Sequence, residues 1–202
     1  PGGDFAQLLA PGEAIDVAGL DGATWDQSSF TGTRMLLGGG GHVVAVAEHD
    51  ETHSIVLRDP DGSWRLIASE GDTNGDYTFE DLLPNPNGIG INAQGNVVFR
   101  ATVSSSRTAG TNSLWGYDQS AGELVRLLVI SQELSVEGEP HRLTDFDVRL
   151  GSGGQDGAPT GYNDRGEIGM ILRYEPIGGG STITTGGCAM GNAPIDSAGA
   201  PG

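Results

Sequence analysis

The sequence is short of positive charge, of cysteine and of aromatic rings. It sets 10 Lys+Arg against 27 Asp+Glu, a formal charge of −17 over 202 residues. A phosphate backbone or an anionic lipid surface would be repelled by such a chain. No apolar run approaches the roughly 18 residues of a membrane-spanning helix. Its one cysteine, Cys188, can close no disulfide within the chain. In an exported protein it reads as an inert thiol or an interchain bridge, because Thr185-Gly186-Gly187 and Ala189-Met190 bring no base to it. No Asn-x-Ser/Thr acceptor occurs, and sugar on Ser181 to Thr185 would rest on composition alone. The chain opens Pro1-Gly2-Gly3 without an initiator Met or a basic-then-apolar leader, as a mature or excised segment would. No Ser-His-Asp order, nucleophile elbow or phosphate loop stands out; Gly38 to Gly41 precede a strand rather than a helix. The pair Asp145 and Asp147 shares one strand face and would suit a glycosidase only beside a sugar cleft. These gaps favour a protein that is not an enzyme.

What is abundant is turn chemistry. The 35 Gly and 10 Pro make up about 22% of the chain, against roughly 12% on average. The glycines follow no three-residue period, so a collagen-like helix is excluded. They recur instead within three strings that return in the same order. The first is Leu8-Leu9-Ala10-Pro11-Gly12-Glu13, Leu66-Ile67-Ala68-Ser69-Glu70-Gly71-Asp72 and Leu127-Leu128-Val129-Ile130-Ser131-Gln132-Glu133, spaced by 58 and 61 residues. The second is Gly41-His42-Val43-Val44-Ala45-Val46-Ala47, Gly95-Asn96-Val97-Val98-Phe99-Arg100-Ala101 and Gly166-Glu167-Ile168-Gly169-Met170-Ile171-Leu172. The turns Asn92-Ala93-Gln94-Gly95 and Asn163-Asp164-Arg165-Gly166 lead into the last two. The third is Ser54-Ile55-Val56-Leu57-Arg58-Asp59 and Ser113-Leu114-Trp115-Gly116-Tyr117-Asp118, each followed by a Gly-bearing turn. A period near 60 residues therefore governs the chain.

Short apolar runs between turn residues are strand signals, and no window of eleven residues carries a 3.6 period. Glu80-Asp81-Leu82-Leu83 allows one helical turn before Pro84. The first unit predicts strands near 32–37, 42–48, 54–59 and 64–69; the second near 88–92, 96–103, 113–118 and 123–130; the third near 144–150, 167–174 and 181–185. The fold class is all-β: three repeats of about 60 residues, each a four-stranded antiparallel meander resembling a propeller blade, partial or completed between molecules. A stacked β-sheet solenoid or a β-sandwich is the alternative. The domain spans 1–177, a strand at 6–10 followed by units near 11–69, 70–130 and 131–185, and 178–202 forms a Gly/Ser/Thr/Ala-rich tail. Three blades close a ring poorly. The strand at 6–10 is of the fourth type, and the third unit supplies no fourth strand. Unpaired edges are costly, so the two complement one another, within an assembly or within a longer repeat chain.

The stretch Ile91-Asn92-Ala93-Gln94-Gly95-Asn96-Val97-Val98-Phe99-Arg100-Ala101, with the Gly-Asp string Glu70-Gly71-Asp72, resembles a bacterial tandem repeat with an Asn-x-x-Gly-x-Val-x-Phe signature. That family occurs in secreted proteins, many with a carboxy-terminal sorting anchor. The likeness covers about 7–175; in the third unit Met170 and Ile171 stand for Phe, and in the first Gly38 to Gly41 replace the Asn turn while Ala45 replaces Phe. It implies export and a propeller-like β-repeat, and it brings no catalytic residue. The tail Gly186 to Gly202 has no apolar helix or basic cluster of a sorting anchor.

Candidate sites follow from side-chain chemistry. Asp72, Asn74, Asp76 and Glu80 place oxygens at alternating positions, as the opening of an EF-hand-like Ca²⁺ loop does, although Tyr77 and Leu83 depart from that pattern. The same residues are ordinary turn formers, so no cofactor is required, with Ca²⁺ the possible exception. His49 and His53 flank a turn and could meet with Glu48 or Glu51 at a transition metal; His42 and His141 are scattered. Trp25, Trp64 and Trp115 fall once per unit and read as packing, with a carbohydrate platform as the alternative. The expected function is an exported structural module of a cell surface or extracellular polymer. It would self-associate through the edge Gln7, Leu8, Leu9 and Ala10, with Cys188 as an interchain thiol. A ligand-binding propeller for glycan or Ca²⁺ is the alternative.

Overall fold

A computed structural model describes residues 10–25, 35–49, 51–82, 88–151 and 161–190. The expected strand at 6–10 lies outside them except for Ala10. Three antiparallel sheets follow one another along the chain. The first is a meander of β1 (Met35–Leu37), β2 (Val43–His49), β3 (Thr52–Arg58) and β4 (Trp64–Ser69). The second contains β7 (Ile89–Ile91), β8 (Val97–Ser104), β9 (Thr111–Asp118) and β10 (Glu123–Val129), with a hairpin of β5 (Thr73–Asn74) and β6 (Tyr77–Asp81) added beside β8. The third runs β11 (Glu133–Val136), β12 (Glu139–Val148), β13 (Glu167–Pro176), β14 (Ile183–Met190). Among the described residues there is no helix.

The repeat is legible atom by atom. Gly12 N donates to Trp25 O, Gly71 N to Phe79 O and Ser131 N to Leu143 O, at 2.8 Å each. In the same three turns a side chain caps the backbone: Glu13 accepts from Ala10 N at 2.7 Å, Asp72 from Ser69 N at 2.9 Å and Gln132 from Val129 N at 2.8 Å. Each turn needs a left-handed residue, supplied by Gly12, Gly71 and Ser131 at φ 80°, 89° and 75°. Each opens a hairpin: Ala14 bridged to Thr24, then β5–β6, then β11–β12.

A second element recurs six residues before each central strand. Leu37 pairs Val43, Ile91 pairs Val97 and Tyr162 pairs Ile168. In the third unit the first strand is thus reduced to the single bridge at Tyr162. The strand expected at 144–150 runs from 139 to 148 and is instead the counterpart of β6. Just as β8 pairs β7 at its start and β6 at its end, β13 pairs Tyr162 and then β12. The helical turn expected at Glu80 to Leu83 is replaced by strand through Asp81. Phe79 points into the core while Glu80 faces solvent, a two-residue alternation that pairing to β8 enforces. The third sheet also runs farther than expected, to Met190, so that part of the Gly-rich tail is strand.

Consecutive sheets stack face to face. The face of the first sheet turned toward the second offers Val44, Val46, Ile55 and Leu57 to Phe79, Phe99, Ala101 and Trp115. The second turns Val98 and Leu114 toward Leu143, Phe146, Ile168 and Met170 of the third. Two buried faces explain why the central strands read as continuous Val/Ala/Ile runs rather than as alternation. Among the described residues, no sheet precedes the front of the first. It is covered by its own long hairpin, whose Ile15, Val17, Leu20 and Trp25 close over Ala45, Ala47 and Val56. Trp25 meets Trp64 at 5.5 Å, and Phe79 meets Trp115 at 4.9 Å, so aromatic rings anchor both places.

Candidate functional site

The turns that open the central strands are stacked across all three units. Asn92 and Asn163 build theirs the same way. Each side-chain oxygen accepts two backbone N–H groups: Gln94 and Asn96 at 3.1 and 3.0 Å, and Arg165 and Glu167 at 2.9 and 3.0 Å. Gly38 retains only the backbone bonds of that turn. Between neighbours, Ala93 N donates to Asp164 Oδ1 at 2.8 Å, and Gly40 lies so close that a Cβ there would sit 2.1 Å from Ala93 O. Gly95, at φ 83°, leaves room for the His42 ring, whose Cδ2 would be 2.7 Å from a Cβ.

A polar track runs along this end of the sheets. His42 Nε2 stands 3.7 Å from Asp59 Oδ1, and Gln119 Nε2 donates to the same oxygen at 3.3 Å. Arg65 pairs with Asp59 from the other side. Gln119 N donates to Asn96 Oδ1 at 3.0 Å, and Tyr162 OH to Asn96 O at 3.4 Å. Burial, then the nearby carboxylates of Asp118 and Asp164, push the Tyr162 phenol well above the ordinary tyrosine range. Hydrogen bonding to Tyr117 and Asp59 raises Arg65 further. The arrangement joins units one to two and two to three. A His–Asp pair is present, but Nδ1 of His42 and Nδ2 of Asn92 are buried without a partner, beside backbone rather than a nucleophile.

At the opposite end, β2 and β3 place His49 and His53 on different faces. His49 is bonded to Ser54 Oγ at 3.0 Å. His53 lies between Glu70 and Glu48, at 2.9 and 3.7 Å. The expected histidine pair therefore does not form, because in the register Glu48 opposite His53 and His49 opposite Thr52, alternation separates them. Glu70 also accepts from Leu82 N at 3.2 Å, linking the first sheet to the second.

Two of the four candidate calcium residues are bonded to backbone. Asp72 caps Ser69, the Asn74 amide donates to Leu124 O at 3.3 Å, and Asp76 and Glu80 are exposed. Among the described residues no group of three or more His, Cys, Asp or Glu could hold a metal ion. Trp25 and Trp115 are fully packed and Trp64 partly so, as core residues rather than a sugar platform.

The remaining feature is an edge. In the first two units β3 and β9 are flanked by β4 and β10; β14 occupies the same place beside β13, and among the described residues no strand lies on its outer side. Cys188 stands in β14 at the register position opposite Gly169. Gln7, Leu8 and Leu9 lie outside the described residues. Ala10, however, begins the same capped turn that β4 and β10 run into. Sequence reading missed the β5–β6 and β11–β12 hairpins. Their turns were visible as Asn74-Gly75-Asp76 and Glu137-Gly138, but a bulge between Leu143 and Asp145 hides the alternation of β12.

No curated protein matches the chain, and neither does any solved structure. A family model matches residues 2–176, nearly the whole three-unit array. The chain belongs to that family, which is described only as a family of unknown function, DUF7453.

Proposed function

We propose that this protein is a non-enzymatic, exported structural module that assembles by strand addition, residues 6–10 of one copy completing the third sheet of another. One observation carries the reading: the capped turn at Ala10 is the turn that β4 and β10 enter, while among the described residues β14 lacks the neighbour that β4 and β10 give β3 and β9. An open edge of this kind is a template for another strand. The polar side chains are spent on holding units together, as His42, Asp59 and Gln119 are, which supports a structural role over a catalytic one. The likeness of the Asn-x-x-Gly repeats to those of secreted proteins supports an extracellular or cell-surface setting. Light scattering on the full chain at tens of micromolar tests it. Self-association that disappears on deleting residues 1–9, with melting unchanged, is expected; a strict monomer overturns the reading.

A further inference from the structure

Among the described residues, the third sheet has an uncovered face as well as an open edge. The positions that bury Val44 and Val46 in the first unit, and Val98 in the second, are Gly169 and Ile171 in the third. Gly169 is exposed and Ile171 is 42% exposed. Across the register, Gly186 stands opposite Ile171 and Thr184 opposite Arg173, both exposed. The same face carries Arg142, Arg149 and Arg173, with Glu175, Asp147 and Asp145 beside them. It is thus locally neutral, and holds three of the ten cations of a chain at −17. In the two interfaces already formed, the equivalent face is covered by the hairpin and front of the next unit.

The hairpin that would arrive here in a second copy is the one that covers its own first sheet. Its inner side is spent on Val17 and Leu20, and its outer side shows Glu13, Asp16, Ala18 and Asp21, small or acidic throughout. Between Ala10 and Trp25 there is no cation. A strand donated to β14 would enter the Ala10 turn and set this hairpin directly over Ile171 and the arginines, as β4 leads through the Ser69 turn to the hairpin lying on Val44 and Val46. We infer that the outer face of the third sheet, centred on Ile171 and flanked by Arg142, Arg149 and Arg173, docks the acidic hairpin 13–23 of a second copy of this chain.

The inference rests on strand addition at β14 but is separable from it. Sedimentation velocity on the full chain would compare wild type, Asp16→Arg/Asp21→Arg, Arg149→Glu, Ile171→Asp, an equal mixture of the first and second variants, and the 1–9 deletion. Docking predicts that each charge reversal weakens association by about tenfold, that mixing the reversed hairpin with the reversed face restores it, and that salt weakens the wild type. Ile171→Asp, on an exposed site, should weaken association without lowering the melting temperature. If the reversals and Ile171→Asp leave association intact while the deletion abolishes it, the docking face is overturned and strand addition stands. If the reversals act but the deletion does not, the face stands and strand addition falls. A monomeric wild type overturns both.

Discussion

At the scale of single residues, the repeat is enforced by left-handed turns and by what their neighbours accept. Gly71 and Ser131 do the same job at φ 89° and 75°. A side chain with a Cβ is disfavoured there, so Gly71→Ala should destabilise by about 1–2 kcal/mol, read as a lower melting temperature. Ser131→Gly should be neutral or slightly stabilising, since lost strain offsets the greater freedom of the unfolded chain. Tyr162 gives a pH signature. Its folded pKa is raised above the ordinary 10.0, so the stability it contributes is fully present below pH 10 and is lost as pH rises beyond it. In an alkaline absorbance titration, one of the four tyrosines should ionise last, together with unfolding. Tyr162→Phe should flatten that alkaline loss.

At the scale of elements, the central strands and Gly turns were legible because tight turns and two-sided burial leave marks in composition. β2, β3, β4 and β8 to β10 fall within a few residues of the expected positions. The hairpins were harder, since β5 and β6 are brief and their function is to bridge sheets rather than to form a separate layer. The edge at β14 could be anticipated from the missing fourth strand; the stacked turns could not, because the contacts of Gly40 with Ala93 and of Gln119 with Asp59 join residues some fifty or sixty positions apart. The hairpin over the first sheet depends on Trp25, which is 3% exposed. Trp25→Ala should cost about 3–5 kcal/mol and loosen residues 13–25, while Leu37→Ala, at a site 61% exposed, should change melting little.

At the scale of the molecule, each sheet is stabilised chiefly by the next, so the array is nearly one-dimensional. Phe146 lies in the interface between the second and third sheets, with Arg100 over its ring at 5.1 Å. Phe146→Ala should raise hydrogen exchange in β11, β12 and β13 while the first sheet keeps its protection. The hairpins vary most in length between units: eleven residues separate Glu13 and Trp25 at their paired ends, two separate Asn74 and Tyr77, and β12 alone is ten residues long. Because the capped turns and the Asn turns set the spacing of the sheets, the hairpin tips are display positions. A foreign peptide spliced between Gly75 and Asp76 should be carried on the surface with the melting temperature nearly unchanged, making the repeat a scaffold on which new sequence can be grafted without disturbing its joints.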